Sequence, residues 1–159
     1  SSIQVSHAGL AHFKDCENLT DLELAATQVS DAGLAYLKDY KNLRLLNLSS
    51  TQVSDAGLAH FKDWKVLAAL SLNATPVSDT GLVHLQDCKN LTTLHLAGTQ
   101  VSDAGLEMLV GCQKLALLNV DPTNVTEAGV KKLAAALPKC KIQWTGGVIE
   151  PTLKTEASP

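Results

Sequence analysis

The chain has 159 residues, 45% hydrophobic and 4% aromatic, and its 13 Lys and Arg against 16 Asp and Glu leave a formal charge of -3. That length and apolar content suit one folded domain with a continuous core and argue against disorder over most of it. With no net basic field, and no apolar run near the roughly 20 residues of a membrane-spanning helix, neither nucleic acid nor a membrane is an expected partner. The opening Ser1-Ser2-Ile3-Gln4-Val5 also lacks the basic and apolar regions of a signal peptide.

From its first residues the chain is periodic. Val5, Gly9, Leu10 and Phe13 fall in register with Val29, Gly33, Leu34 and Leu37, so the chain starts inside a repeat, and a longer parent carrying other domains is expected. The phrase Thr-Gln-Val-Ser-Asp-Ala-Gly-Leu begins at Thr27, Thr51 and Thr99, with a close variant at Thr75 and a decayed one at Thr123, each 24 residues after the last. Even spacing of this kind denotes an array of small units.

Within a unit, Leu19, Leu22 and Leu24 open a Leu-x-x-Leu-x-Leu pattern that returns as Leu43, Leu46, Leu48; Leu67, Leu70, Leu72; Leu91, Leu94, Leu96; and Leu115, Leu118, Val120. The alternation at its centre predicts a short strand. Next comes a turn, then helical spacing such as Val53, Gly57, Leu58 and Phe61. Ser54 is the expected N-cap, with Asp55 facing the positive end of the helix dipole and Lys14, Lys38 and Lys62 at the opposite ends. Six or so buried aliphatics per unit contribute on the order of 10 to 18 kcal/mol, less than the cost of ordering two dozen residues at about 1 to 2 kcal/mol each. A unit therefore folds only when stacked, with strands parallel and crossovers right-handed, which gives a curved α/β solenoid with strands on its concave face and helices on its convex face.

The last unit departs from the pattern. Ile142 and Trp144 keep the period behind Leu118 and Val120, Lys139 takes the place of the leading Leu, and a longer Ala-rich stretch from Thr126 to Leu137 stops at Pro138. With Trp144 at an inward site and Gly146-Gly147 after it, this unit reads as a carboxyl-terminal cap. The expected domain is residues 1–149, about six repeats including the cap, followed by a flexible tail or linker over 150–159.

These columns resemble the leucine-rich repeat family, from Ile3 to Ile149. Thr27, Thr51, Thr75, Thr99 and Thr123 stand where that family usually carries Asn or Cys, and Asp-Ala-Gly-Leu together with Cys16, Cys88 and Cys112 is similar to its cysteine-containing subclass, found in F-box ubiquitin-ligase receptors and in many bacterial proteins. The resemblance implies a right-handed horseshoe solenoid. The near-identical repeats and the phrase Leu137-Pro138-Lys139-Cys140-Lys141-Ile142 look bacterial, and such arrays often accompany signalling modules. No F-box or kinase motif lies in the sequence, so neither activity carries over.

Candidate chemistry follows repeat register rather than convergence. His12, His60 and His84 share a convex column with Tyr36, Met108 and Lys132, and neighbouring helices about 10 Å apart are poorly placed to share a zinc ion. Cys16, Cys88 and Cys112 alternate with Tyr40 and Trp64, which suggests a buried packing column of free thiols rather than a bridge between Cys88 and Cys112, and slightly favours a reducing, cytoplasmic compartment. The glycine column, Gly9 to Gly129, lacks phosphate-loop spacing and reads as close approach between stacked helices. The threonine column reads as a ladder of hydroxyls bonding backbone at the turn. No catalysis, cofactor or metal is expected.

A protein partner is expected on the outward side chains of the strands. Glu23, Asn47, Ser71, His95 and Asn119 form the central column; Asp21, Leu45, Ala69, Thr93 and Leu117 flank it on one side and Ala25, Ser49, Asn73, Ala97 and Asp121 on the other, with Arg44 the nearby strong cation. Lacking aromatic anchors, such a face implies weak or avid binding. The second reading is a structural module that dimerises through an open amino-terminal edge, where Ile3, Val5 and Leu10 lack a cover.

Overall fold

The computed structural model describes Leu10 and residues 19–152. Expectations resting on Ile3, Val5, Gly9, His12, Phe13, Lys14 and Cys16, including the open amino-terminal edge and dimerisation through it, lie outside the described residues. Strands β1 Asp21–Glu23, β2 Leu45–Asn47, β3 Ala69–Ser71, β4 Thr93–His95, β5 Leu117–Asn119, β6 Lys141–Trp144 and β7 Gly147–Ile149 form one sheet in chain order. The first six are parallel, as the pattern predicts, and the register places Leu22, Leu46, Leu70, Leu94, Leu118 and Ile142 side by side, all buried.

The pairing continues past the strands into the turn. Ala26, Ser50, Ala74 and Gly98 each donate their N–H to the next unit, to the carbonyls of Ser49, Asn73, Ala97 and Pro122, at 2.7 to 2.9 Å. To do so all four adopt positive φ, at 56°, 56°, 52° and 70°. Only Gly98 takes that conformation without a Cβ penalty. One residue further on, the hydroxyls of Thr27, Thr51, Thr75, Thr99 and Thr123 donate to the carbonyls of Leu24, Leu48, Leu72, Leu96 and Val120, three residues back. The expected threonine ladder is therefore a set of bonds within each unit: a hydroxyl has one proton, and the turn of its own unit offers the nearer acceptor. A second series of rungs joins Gln52, Gln100 and Asn124 N–H to Val29, Val77 and Val101 carbonyls. At the corresponding place Pro76 has no N–H to give.

Each crossover is short. Helices α1 Asp31–Leu34, α2 Asp55–Leu58, α3 Asp79–Leu82 and α4 Asp103–Met108 tighten into 3₁₀ turns at Ala35–Leu37, Ala59–Asp63, Val83–Leu85 and Leu109–Gly111. Ser54, Ser78 and Ser102 cap them as predicted, accepting from Ala56, Thr80 and Ala104 N–H at 3.3 Å. The aspartates stand in the first helical turn as predicted, and they have a further role. Asp31, Asp55, Asp79 and Asp103 turn away from their own helices and accept both the N–H and the hydroxyl of the next unit's cap, Ser54, Ser78, Ser102 and Thr126, at 2.5 to 2.8 Å. The glycine column makes room for them: a Cβ at Gly57, Gly81, Gly105 or Gly129 would overlap the carboxylate of Asp31, Asp55, Asp79 or Asp103.

The core runs unbroken behind the sheet. Tyr40, Trp64, Cys88 and Cys112 occupy the buried column predicted for them. Cys88 and Cys112 are free thiols, hydrogen-bonded to the carbonyls of Phe61 and Leu85 in the preceding unit. Trp64 meets Phe61 edge to face at 4.4 Å, and its indole N–H is buried without a partner among the described residues.

The cap is built differently from its reading in sequence. Helix α5 spans Glu127–Ala136. Cys140 N–H bonds the Leu137 carbonyl as Leu115 N–H bonds that of Cys112, and both Leu137 and Cys140 are buried. The longer helix thus shifts the leading position by one residue, so Cys140 takes the role expected of Lys139, which is exposed. Strand β7 folds back antiparallel on β6, pairing Trp144 with Gly147, and Trp144 lies half-buried with its ring over Gly146. Lys141 pairs with Glu150 at 2.9 Å, and Thr152 bonds the Pro138 carbonyl. The segment expected to be loose from Glu150 is therefore tied to the cap as far as Thr152, and the remainder lies outside the described residues.

Candidate functional site

The outward side chains of β1 to β4 line a hollow of about 470 Å³. Its floor consists of Leu45, Ala69 and the backs of Leu46 and Leu70; its polar lining is Glu23, Asn47, Ser49, Ser71, Asn73, Thr93 and His95. The strand alternation that buries Leu22, Leu46, Leu70 and Leu94 turns these neighbours outward. Of the residues expected on this face, Glu23, Leu45, Asn47, Ser71, Asn73, Thr93 and His95 come together here. Leu117 and Asn119 extend the same face on β5 without lining the hollow, Asp21 is exposed at its edge on β1, and Arg44 is exposed just before β2, outside the lining.

Several of the polar groups are already occupied. Asn47 donates to Glu23 at 2.8 Å while accepting from Ser49 N–H at 3.0 Å. Asn73 accepts Ala97 N–H at 2.8 Å, and Asn119 accepts Asp121 N–H at 2.9 Å. The Ser49 and Ser71 hydroxyls share a 2.7 Å bond. These asparagines therefore hold the turns that follow the strands, a role that their outward position did not announce. The Thr93 hydroxyl and the His95 imidazole make no side-chain hydrogen bond among the described residues, and Glu23 accepts a single one. Ser49 and Ala69, outward members of the flanking columns, also belong to the lining.

Elsewhere the titratable groups stay apart. His60 and His84 are half-buried on the convex side beside Met108, with Tyr36 and Lys132 exposed, and no group of three or more His, Cys, Asp or Glu converges among the described residues. Burial, reinforced by the neighbouring Cys112, pushes the Cys88 thiol up to about 12; burial also raises Cys112, and Cys140 to about 11. Such thiols are protonated at neutral pH and are poor nucleophiles. No helix among the described residues is long and apolar enough to cross a membrane.

A family model for the leucine-rich repeat matches residues 41–61 and 87–110. The array has the fold of a leucine-rich repeat solenoid. Among solved structures, an internalin from Listeria monocytogenes superposes with a TM-score of 0.73 and 22% identity over 91% of this chain and 38% of that one. Internalin C2 of the same organism gives 0.63 and 22% over 84% of this chain and 63% of its own. The solenoid thus spans less than two thirds of either internalin, and at this identity the likeness is one of fold. No curated protein matches.

Proposed function

We propose that this solenoid is a non-catalytic protein-recognition module, residues 1–149 of a larger bacterial signalling chain, that holds its partner in the hollow of its strand face. The observation that carries this reading is the hollow itself. It is formed by side chains the core does not need, and Thr93 and His95 within it have hydrogen-bonding capacity to spare. Among the described residues no hydrogen bond joins the Ser71 or Thr93 hydroxyl to the His95 imidazole; the Ser49 and Ser71 hydroxyls bond each other instead, and the thiols are buried in the core. Leucine-rich repeat arrays act as interaction scaffolds, and the similarity to internalins accords with that role.

The test is to place bulky cations on each face in turn. Partners captured by the wild type and identified by mass spectrometry are expected to be lost with Ser71→Arg plus Thr93→Arg and retained with Val83→Arg plus Gln86→Arg on the convex side. The reverse pattern would remove the concave face from consideration.

A further inference from the structure

The charge of the hollow suggests what fills it, given the proposed role as a recognition module. Its lining carries one full charge, Glu23, and no Lys or Arg; Asp21 stands beside Glu23 on the same strand. Both carboxylates are exposed, and neither forms an ion pair among the described residues. Among the described residues Glu23 accepts only from Asn47 and Asp21 only from Thr20, which leaves most of their acceptor capacity open. Moving across the sheet, the polarity changes. Leu45 and Ala69 give an apolar middle, and Thr93 and His95 end the hollow with hydroxyl and imidazole groups that make no side-chain hydrogen bond among the described residues.

From β1 to β4 is three strand spacings, about 14 Å, which an extended chain covers in about four or five residues at roughly 3.3 Å each. We infer that the hollow takes an extended segment of a partner protein with an Arg or Lys at the β1 end, a small apolar residue over Leu45 and Ala69, and a hydrogen-bonding side chain against Thr93 and His95. A cation there meets two open carboxylates. An anion would face them with only Arg44, outside the lining, as counter-charge.

Isotope-labelled protein titrated with three pools of capped hexapeptides provides the test, the pools differing only in a first residue of Arg, citrulline or Glu. The Arg pool is expected to shift the backbone amide resonances of β1 to β4. Glu23→Gln with Asp21→Asn should weaken it about threefold to tenfold, as should raising the salt to 0.5 M. Equal shifts of those strands by all three pools, or no shift by any, would overturn the cationic assignment and leave concave recognition standing. Shifts confined to α1 to α4 would count against both.

Discussion

Ala74 at φ 52° has its methyl group in the crowded left-handed region, where only glycine is at ease. The same turn is made by Gly98 one unit later, so the backbone geometry tolerates glycine without rearrangement. Ala74→Gly should therefore stabilise the protein by about 0.5 to 1 kcal/mol, the relief of Cβ strain outweighing the added freedom of the unfolded chain. Chemical denaturation measures it, and a loss of stability would contradict the assigned turn. Cys88 carries a second prediction at this scale. Its thiol ordinarily titrates near 9.0 and in the fold near 12, so between those values the unfolded chain loses a proton that the folded chain keeps. Stability from this residue is full below pH 9 and declines as pH rises toward 12. Denaturation midpoints for wild type and Cys88→Ala should converge over that window, and a constant difference would mean the thiol is not buried as described.

At the scale of the element, the strand is the least ambiguous part of the repeat. Leu70 sits in the middle strand with Leu46 and Leu94 on either side. Leu70→Ala should cost about 2 to 5 kcal/mol by leaving a cavity, whereas its outward-facing neighbour Ser71→Ala gives up a single part-buried hydroxyl pair, worth about 1 kcal/mol or less. A denaturant titration of both variants separates inward from outward, and equal effects would mean the register is off by one. This alternation was readable from the Leu columns alone because burial on one face imposes a period of two. Strand β7 was not: Gly147-Val148-Ile149 is too short to display a period, and the adjacent glycines resembled an ending rather than a hairpin. The cap's extra residue was hidden for the same reason, since Lys139 and Cys140 are adjacent and only the hydrogen bond to Leu137 distinguishes them. On the candidate face, the columns named the outward residues correctly as positions. They could not tell His95, which has capacity to spare, from Asn47 and Asn73, whose amides are committed to turns.

For the whole molecule, cohesion depends on bonds between units as well as on the shared core. Asp79 holds Ser102 by two hydrogen bonds, one of them to a backbone N–H, across the middle of the array. Bonds to a charged acceptor are worth about 1.5 to 3 kcal/mol each, less where solvent competes. Asp79→Ala is expected to lose about 2 to 4 kcal/mol and to broaden the unfolding transition, because nearest-neighbour coupling is what makes a stack of units melt together. Asp21→Ala, which removes an exposed carboxylate bonded among the described residues only to Thr20, serves as the control and should leave the transition unchanged. The aspartate is visible in four successive repeats, at Asp31, Asp55, Asp79 and Asp103, but its partner lies 23 residues ahead, beyond the reach of a local reading.

Because Asp31, Asp55, Asp79 and Asp103 each reach forward to the Ser or Thr cap of the following unit, any of these units can follow any other. Duplication of a 24-residue stretch would add a fitting module with no compensating change elsewhere, which accounts for how nearly alike the copies are. The series stops where one methylene is added: Glu127 stands in the aspartate's place, and its longer side chain pairs with Lys131 on its own helix at 2.6 Å instead of reaching onward. Chain length in such an array is thus open to inheritance by copying, and a single acidic residue exchanged for its homologue accompanies the change from a joint that can be repeated to one that closes.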